Sequence, residues 1–88
     1  MKARRLTRGQ RQLLELVAAG YTQAEVGRQV GISAASVDGT LGRARARFEA
    51  RSTIELTAIA LAQGEIDPAR IRILRQQRAF NATAKVAA

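Results

Sequence analysis

The chain has 88 residues, fifteen of them Lys or Arg against seven Asp or Glu, for a net charge of +8. That length bounds it to one domain with a marginal core, which economical helices or a partner subunit must support. Without Cys or His it has no disulfide framework, no thiol nucleophile, and neither the commonest general base nor the commonest transition-metal ligand.

Residues 1–5 read as a short basic arm. Thr7-Arg-Gly-Gln10 has capping-box spacing, with Gln in place of Glu, and opens a helix in which Leu13, Leu14, Leu16 and Val17 recur at helical spacing. Gly20 ends that helix and Tyr21 follows as a core residue. Thr22 and Glu25 form a second box: hydroxyl to the amide three residues on, carboxylate back to the cap amide. Val26 and Val30 share one face of a short helix over 23–30, and Gly31 supplies the left-handed conformation that stops it. Ile32 is expected in the core, Ser33 caps the next helix over 34–48, and Gly27 has no side chain where the two helices cross. A box, a small crossing residue, a C-terminal Gly and a new cap, in this order, spell a helix-turn-helix, a unit that commonly places its second helix in a DNA groove. The plainer alternative is a helical hairpin in a bundle.

Residues 49–51 connect to Ser52-Thr-Ile-Glu55, a third box, which starts a fourth helix ending near Gly64. Asp67 caps a fifth helix and Pro68 takes its first position, where the missing amide costs nothing. That helix is expected to reach about Phe80, with residues 81–88 a mobile tail. Neither repeats nor strand patterns occur. The fold class is therefore all-α: a compact four-helix unit over 6–66, a C-terminal helix over 67–80 and a tail.

Leu6-Thr7, Leu13 through Gly20, Glu25-Val-Gly, Val30-Gly-Ile-Ser33, Ser36-Val37 and Leu41 together resemble the DNA-binding domain of the LuxR/GerE regulators, and the likeness continues through Arg51-Ser-Thr-Ile-Glu-Leu56 to Ala60. It covers about residues 5–66. The resemblance implies four helices, sequence-specific DNA binding and dimerisation largely through the fourth helix. With no room for the usual sensor domain, it implies the stand-alone GerE-like type. Gly42-Arg-Ala-Arg-Ala-Arg47 also resembles the end of region 4 of extracytoplasmic-function sigma factors, which reads a promoter element. The block from Arg51 to Ala60 fits LuxR better, so the sigma-like reading ranks second.

At about 100° per residue, Val37, Leu41, Ala44 and Phe48 fall on one side of the third helix as its buried seam. The opposite side carries Ala35, Gly39, Gly42 and Ala46, nearly bare of side chain. Asp38 and Arg45 border this strip on one edge; Ser36, Arg43 and Arg47 border it on the other. With Ser33 at the cap, the expected DNA-binding set is Ser33, Ser36, Asp38, Gly39, Gly42, Arg43, Arg45 and Arg47. The LuxR resemblance implies Lys where Asp38 stands and base-touching side chains where Gly39 and Gly42 stand. Asp repels phosphate, although it can accept from cytosine N4. Each glycine inside a helix costs about 1 kcal/mol relative to Ala. Three accounts fit: the bare strip sits deep in the groove, with the arginines on phosphates and Asp38 or Arg43 on bases; binding is mainly to backbone; or the strip receives another protein's helix.

On the fourth helix Leu56, Ile59 and Ala60 form the core side. Ile54, Ala58 and Leu61 form a second apolar side, the expected dimer interface unless the fifth helix covers it. The fifth helix offers Ile71 and Leu74 on one side and Ile73 with Phe80 on another. Arg70, Arg72, Arg75, Arg78 and Lys85 read as a solvated face before they read as a second nucleic-acid site.

The charge favours a polyanionic partner, and thirteen of the fifteen basic residues are Arg, the better fork for phosphate and guanine edges. The Arg-to-Lys ratio also fits a GC-rich genome; the net charge does not follow from it. No catalytic constellation, cofactor motif, metal cluster, membrane span or signal segment stands out. The reading is a non-enzymatic, cytoplasmic transcriptional regulator, bacterial or phage, that binds double-stranded DNA as a homodimer. The alternatives are a protein-interaction module on a helix-turn-helix scaffold, with transcription machinery or a regulator as partner, and a sigma region 4-like promoter reader.

Overall fold

The computed structural model describes residues 5–87, with side chains to 83, and among them every regular element is helical. In order they are α1 (Arg8–Ala18), α2 (Gln23–Val30), α3 (Ala34–Arg47), α4 (Thr53–Ala62) and α5 (Pro68–Ala87). The basic arm expected at 1–5 lies outside the described residues except for Arg5. Helix α5 runs past Phe80 to Ala87, longer than the end near Phe80 expected from the sequence, and residue 88 of the expected tail lies outside the described residues. Four of the last ten residues of α5 are Ala, Gly and Pro are absent after Pro68, and nothing there breaks a helix.

The helices begin where side-chain oxygens meet their orphan amides. Thr7 accepts from the Gln10 amide at 3.0 Å and Gln10 returns the bond to the Thr7 amide at 3.0 Å. Thr22 and Glu25 do the same at 3.1 and 2.9 Å. At α4 only half of the expected box forms: Ser52 accepts from the Glu55 amide at 3.0 Å, but the Glu55 carboxylate accepts from the Arg51 amide instead. Asp67 caps α5 by accepting from the Ala69 amide at 2.9 Å. Three helices stop at a glycine with positive φ: Gly20, Gly31 and Gly64. The fourth stop, after α3, places Glu49 at φ 55°, with the Ala50 amide donating to the Arg45 carbonyl at 2.8 Å. This is a Schellman turn built on a residue that carries a Cβ.

Leu14, Val26, Val37, Leu41 and Leu56 are fully buried, one or two from each of α1 to α4. Helix α1 backs both arms of the helix-turn-helix, α4 packs on α1 and α3, and α5 lies along α1. Leu74 is buried there and Ile71 half-buried, while Arg78 stands over the Tyr21 ring and reaches Glu25 at 3.8 Å. Glu65, in the connector before α5, accepts from the Leu6 amide at 2.7 Å and faces Arg5 and Arg11 at 3.7 and 3.9 Å. It ties the chain entering α1 to the chain leaving α4.

Candidate nucleic-acid interface

The site begins with a crossing that only glycine permits. A Cβ at Gly27 would overlap the Ile32 carbonyl oxygen and press on the Ser33 and Ala34 backbone at 3.3 and 3.4 Å. Because the Ile32 backbone takes that space, donating its amide to the Gly27 carbonyl at 2.9 Å, its side chain turns outward and is 40% exposed. Ile32 is therefore not the core residue its hydrophobicity suggests. The turn puts α3 across α2 with its Val37, Leu41, Ala44 and Phe48 seam buried.

The opposite side of α3 faces solvent. Ala35, Gly39 and Ala46 are exposed and Gly42 is half-exposed, with Ser33, Ser36, Asp38, Arg43 and Arg47 exposed around them. The expected DNA-binding residues thus share one surface, but they do not act alike. Ser33 is a cap: its hydroxyl oxygen accepts from the Ser36 amide at 3.0 Å and its hydroxyl donates to Ser36 Oγ at 3.0 Å. Arg43 folds back to Thr40 Oγ1 at 3.2 Å, close to where a Cβ on Gly39 would be. No carboxylate pairs with Arg43 or Arg47 among the described residues, so both guanidiniums are available to an anion.

Arg45 is different. It donates to Thr53 Oγ1 at 2.9 Å and lies 3.7 Å from Asp38 Oδ1, running over Gly42, where an added Cβ would touch its Nη2 at 3.4 Å. Asp38 also accepts from Gln23 Nε2 at 3.2 Å, at the start of α2. Sequence periodicity treats Asp38 as an isolated repulsive charge; in three dimensions it is balanced by Arg45 and held by Gln23. The partly exposed ion pair is weak in energy, and both of these contacts fall on Asp38 Oδ1. Gln23, Thr40 and Thr53 escaped the sequence reading because their roles appear only once α2, α3 and α4 cross.

At the entry to α2, the Glu25 carboxyl is held below its ordinary range, first by the Thr22 amide it accepts from, against an opposing effect of burial, then by the Thr22 hydroxyl and the Arg78 and Arg28 guanidiniums. The box that starts the first arm is thus charged at neutral pH and linked to α5.

On α4, Ile54, Ala58 and Leu61 are exposed on one side and line a shallow groove with Val17, Ala18, Thr53 and Thr57. Helix α5 does not cover it, because it packs on α1 instead. No three His, Cys, Asp or Glu side chains converge, and no helix is long and apolar enough to cross a membrane, among the described residues.

Two short helices crossing at Gly27, the second with a buried seam and a solvent-facing cationic margin, define a helix-turn-helix DNA-binding domain. The family model for sigma-70, region 4, matches residues 3–48, and the chain belongs to that family. This is the second of the two likenesses read from the sequence. The match ends at Phe48, so α4 and α5 lie beyond it. No curated protein and no solved structure matches the chain.

Proposed function

We propose that the protein is a transcriptional regulator that reads double-stranded promoter DNA with the outward side of α3 and binds as a homodimer through α4. The observation that carries the reading is the contrast around α3: a buried apolar seam on one side, and on the other a nearly bare strip flanked by Arg43 and Arg47. An α-helix fits the major groove, and a bare strip lets its backbone approach the base edges closely. Arg43, beside the strip, is the candidate guanine reader; Arg47 is the candidate phosphate contact. Asp38, held by Gln23 and Arg45, can accept from a cytosine amino group. Membership of the sigma-70 region 4 family supports promoter DNA as the target.

The dimer draws on different support. Ile54 is 84% exposed and Leu61 38%, on a helix side whose other members are the exposed Ala58 and the half-buried Thr53 and Thr57, none of them charged. The likeness of Arg51 through Ala60 to the LuxR/GerE fourth helix points to the same side. Two copies joined there would present two α3 helices to half-sites about one DNA turn apart. The protein-interaction reading predicts that the α3 strip is filled by polypeptide instead. Fluorescence titration against random and genomic duplexes at two salt concentrations separates the two. Selective nanomolar binding with a salt slope supports the DNA reader; weak binding erased by salt, on every sequence alike, contradicts it.

A further inference from the structure

Helix α5 turns Leu74, Ile71 and Arg78 toward α1 and Tyr21. On its other side Ile73 is 46% and Phe80 71% exposed. These two stand seven residues apart, two helical turns, and Ala69, Gln76 and Thr83 fall between and beside them within about 80° of arc at the helical repeat. The result is a face, turned away from the domain, on which two exposed apolar side chains, Ile73 and Phe80, stand one heptad apart among small and polar neighbours. Arg70 and Arg72 flank it on opposite edges, and Arg75 follows beside Arg72. None of these three pairs with a carboxylate among the described residues, and the chain has no Asp or Glu after Asp67.

We infer that this side of α5 docks an acidic amphipathic helix of a partner protein. The charge pattern selects the occupant. A second copy of α5 would bring arginines against arginines with no carboxylate to separate them, and like charges across an interface oppose association. A nucleic acid would satisfy the arginines but leave Ile73 and Phe80 against a polar backbone. A helix with apolar residues every three to four positions and Glu or Asp on the flanks satisfies both: its apolar edge covers Ile73 and Phe80, and its carboxylates meet Arg70 and Arg72 in the manner of flanking charges in a coiled coil. The surface lies outside the part of the chain that matches sigma-70 region 4, and it is separate from both the α3 strip and the α4 groove.

The test uses the full 88-residue chain and three probes: a synthetic amphipathic peptide with Leu at the two seam positions of each heptad and Glu on its flanks, the same peptide with Lys for Glu, and phosphatidylserine vesicles. The acidic peptide is expected to bind and to shift the backbone amide signals of Ile73, Gln76 and Phe80. Phe80→Ala should weaken it at least tenfold, without changing charge. Arg72→Glu should weaken it several-fold more than the charge-matched Arg51→Glu, with circular dichroism checking that each variant folds. Acidic-peptide binding that ignores Phe80→Ala, or that falls equally with Arg51→Glu, would reduce the effect to bulk charge and overturn the proposal. So would vesicle binding through the same amides in place of the peptide, equal binding of the Lys peptide, or self-association lost on Phe80→Ala.

Discussion

The outward sides of α3 and α4 are neighbours in sequence and opposites in chemistry. Helix α3 offers almost no side chain along its centre and guanidiniums along its margin; α4 offers branched apolar side chains and no charge. A polyanion rewards the first pattern, because guanidinium attraction acts on phosphate while the missing side chains remove steric hindrance. Another protein surface rewards the second, because apolar area removed from water is worth roughly 25 cal/mol per Å². On the proposed function, the first side would touch nucleic acid and the second would hold two copies together, with the Arg45–Thr53 hydrogen bond linking the two.

The largest effect is expected on α4. Leu61→Glu or Ile54→Asp should convert a dimer to a monomer in sedimentation, and DNA affinity should fall by about 10²-fold or more as the two-site advantage is lost. Helix content should stay, since Ile54 makes little contact with the core. A variant that remains dimeric would remove this side from the interface. Next comes the α3 margin. Arg43→Ala should cost about 1–3 kcal/mol of binding and relax preference at one base pair if it reads guanine. Arg47→Ala should weaken all sequences alike and reduce the salt slope by roughly one. Identical behaviour of the two variants would erase the proposed division of roles.

The glycines give a smaller test of opposite sign. An added Cβ would meet only the Arg43 guanidinium at Gly39, at 3.8 Å, and only the Arg45 guanidinium at Gly42, at 3.4 Å, so Gly39→Ala and Gly42→Ala should each stabilise the fold by about 0.5–1 kcal/mol. If the bare strip meets base edges, the same changes should weaken DNA binding. Chemical denaturation and DNA titration on one sample would show whether stability and affinity part company. The smallest effect concerns acid. Because the folded carboxyl of Glu25 lies below its unfolded value, the capping box contributes stability above the ordinary carboxylate range and loses it as pH falls through the lowered folded value. Carboxyl-resonance titration should find Glu25 below a model peptide, and Thr22→Ala, which removes the hydroxyl but keeps the amide, should move it only part of the way back up.

Much of this was legible in the residues because the signals were local. Capping boxes at Thr7 and Thr22, stops at Gly20, Gly31 and Gly64, and the Asp67-Pro68 start mark helix ends through bonds made within a few positions. The two sides of α4 and α5 also follow from spacing alone, so Leu56 and Leu74 sort from Ile54 and Phe80. What escaped the sequence was decided by tertiary contact. Glu49 adopts a left-handed conformation that ordinarily costs an L-residue roughly 1–2 kcal/mol, in a turn where its spacing carries no mark. Ile32 is turned outward by backbone packed against Gly27. Arg45, grouped by periodicity with the DNA-facing residues, is held by Asp38 and by Thr53, the first residue of α4. The balancing of Asp38 needs Gln23, fifteen residues away, and no one-helix projection contains it.

The most direct test is an amide chemical-shift map of the isotopically labelled chain titrated with a duplex that it selects. The largest changes should fall on Ala35, Gly39, Gly42, Arg43, Ala46 and Arg47, with α4 and α5 little affected. Changes centred on α5 or the α4 groove, with those α3 amides unmoved at saturation, would contradict the assignment of α3 as the reading helix.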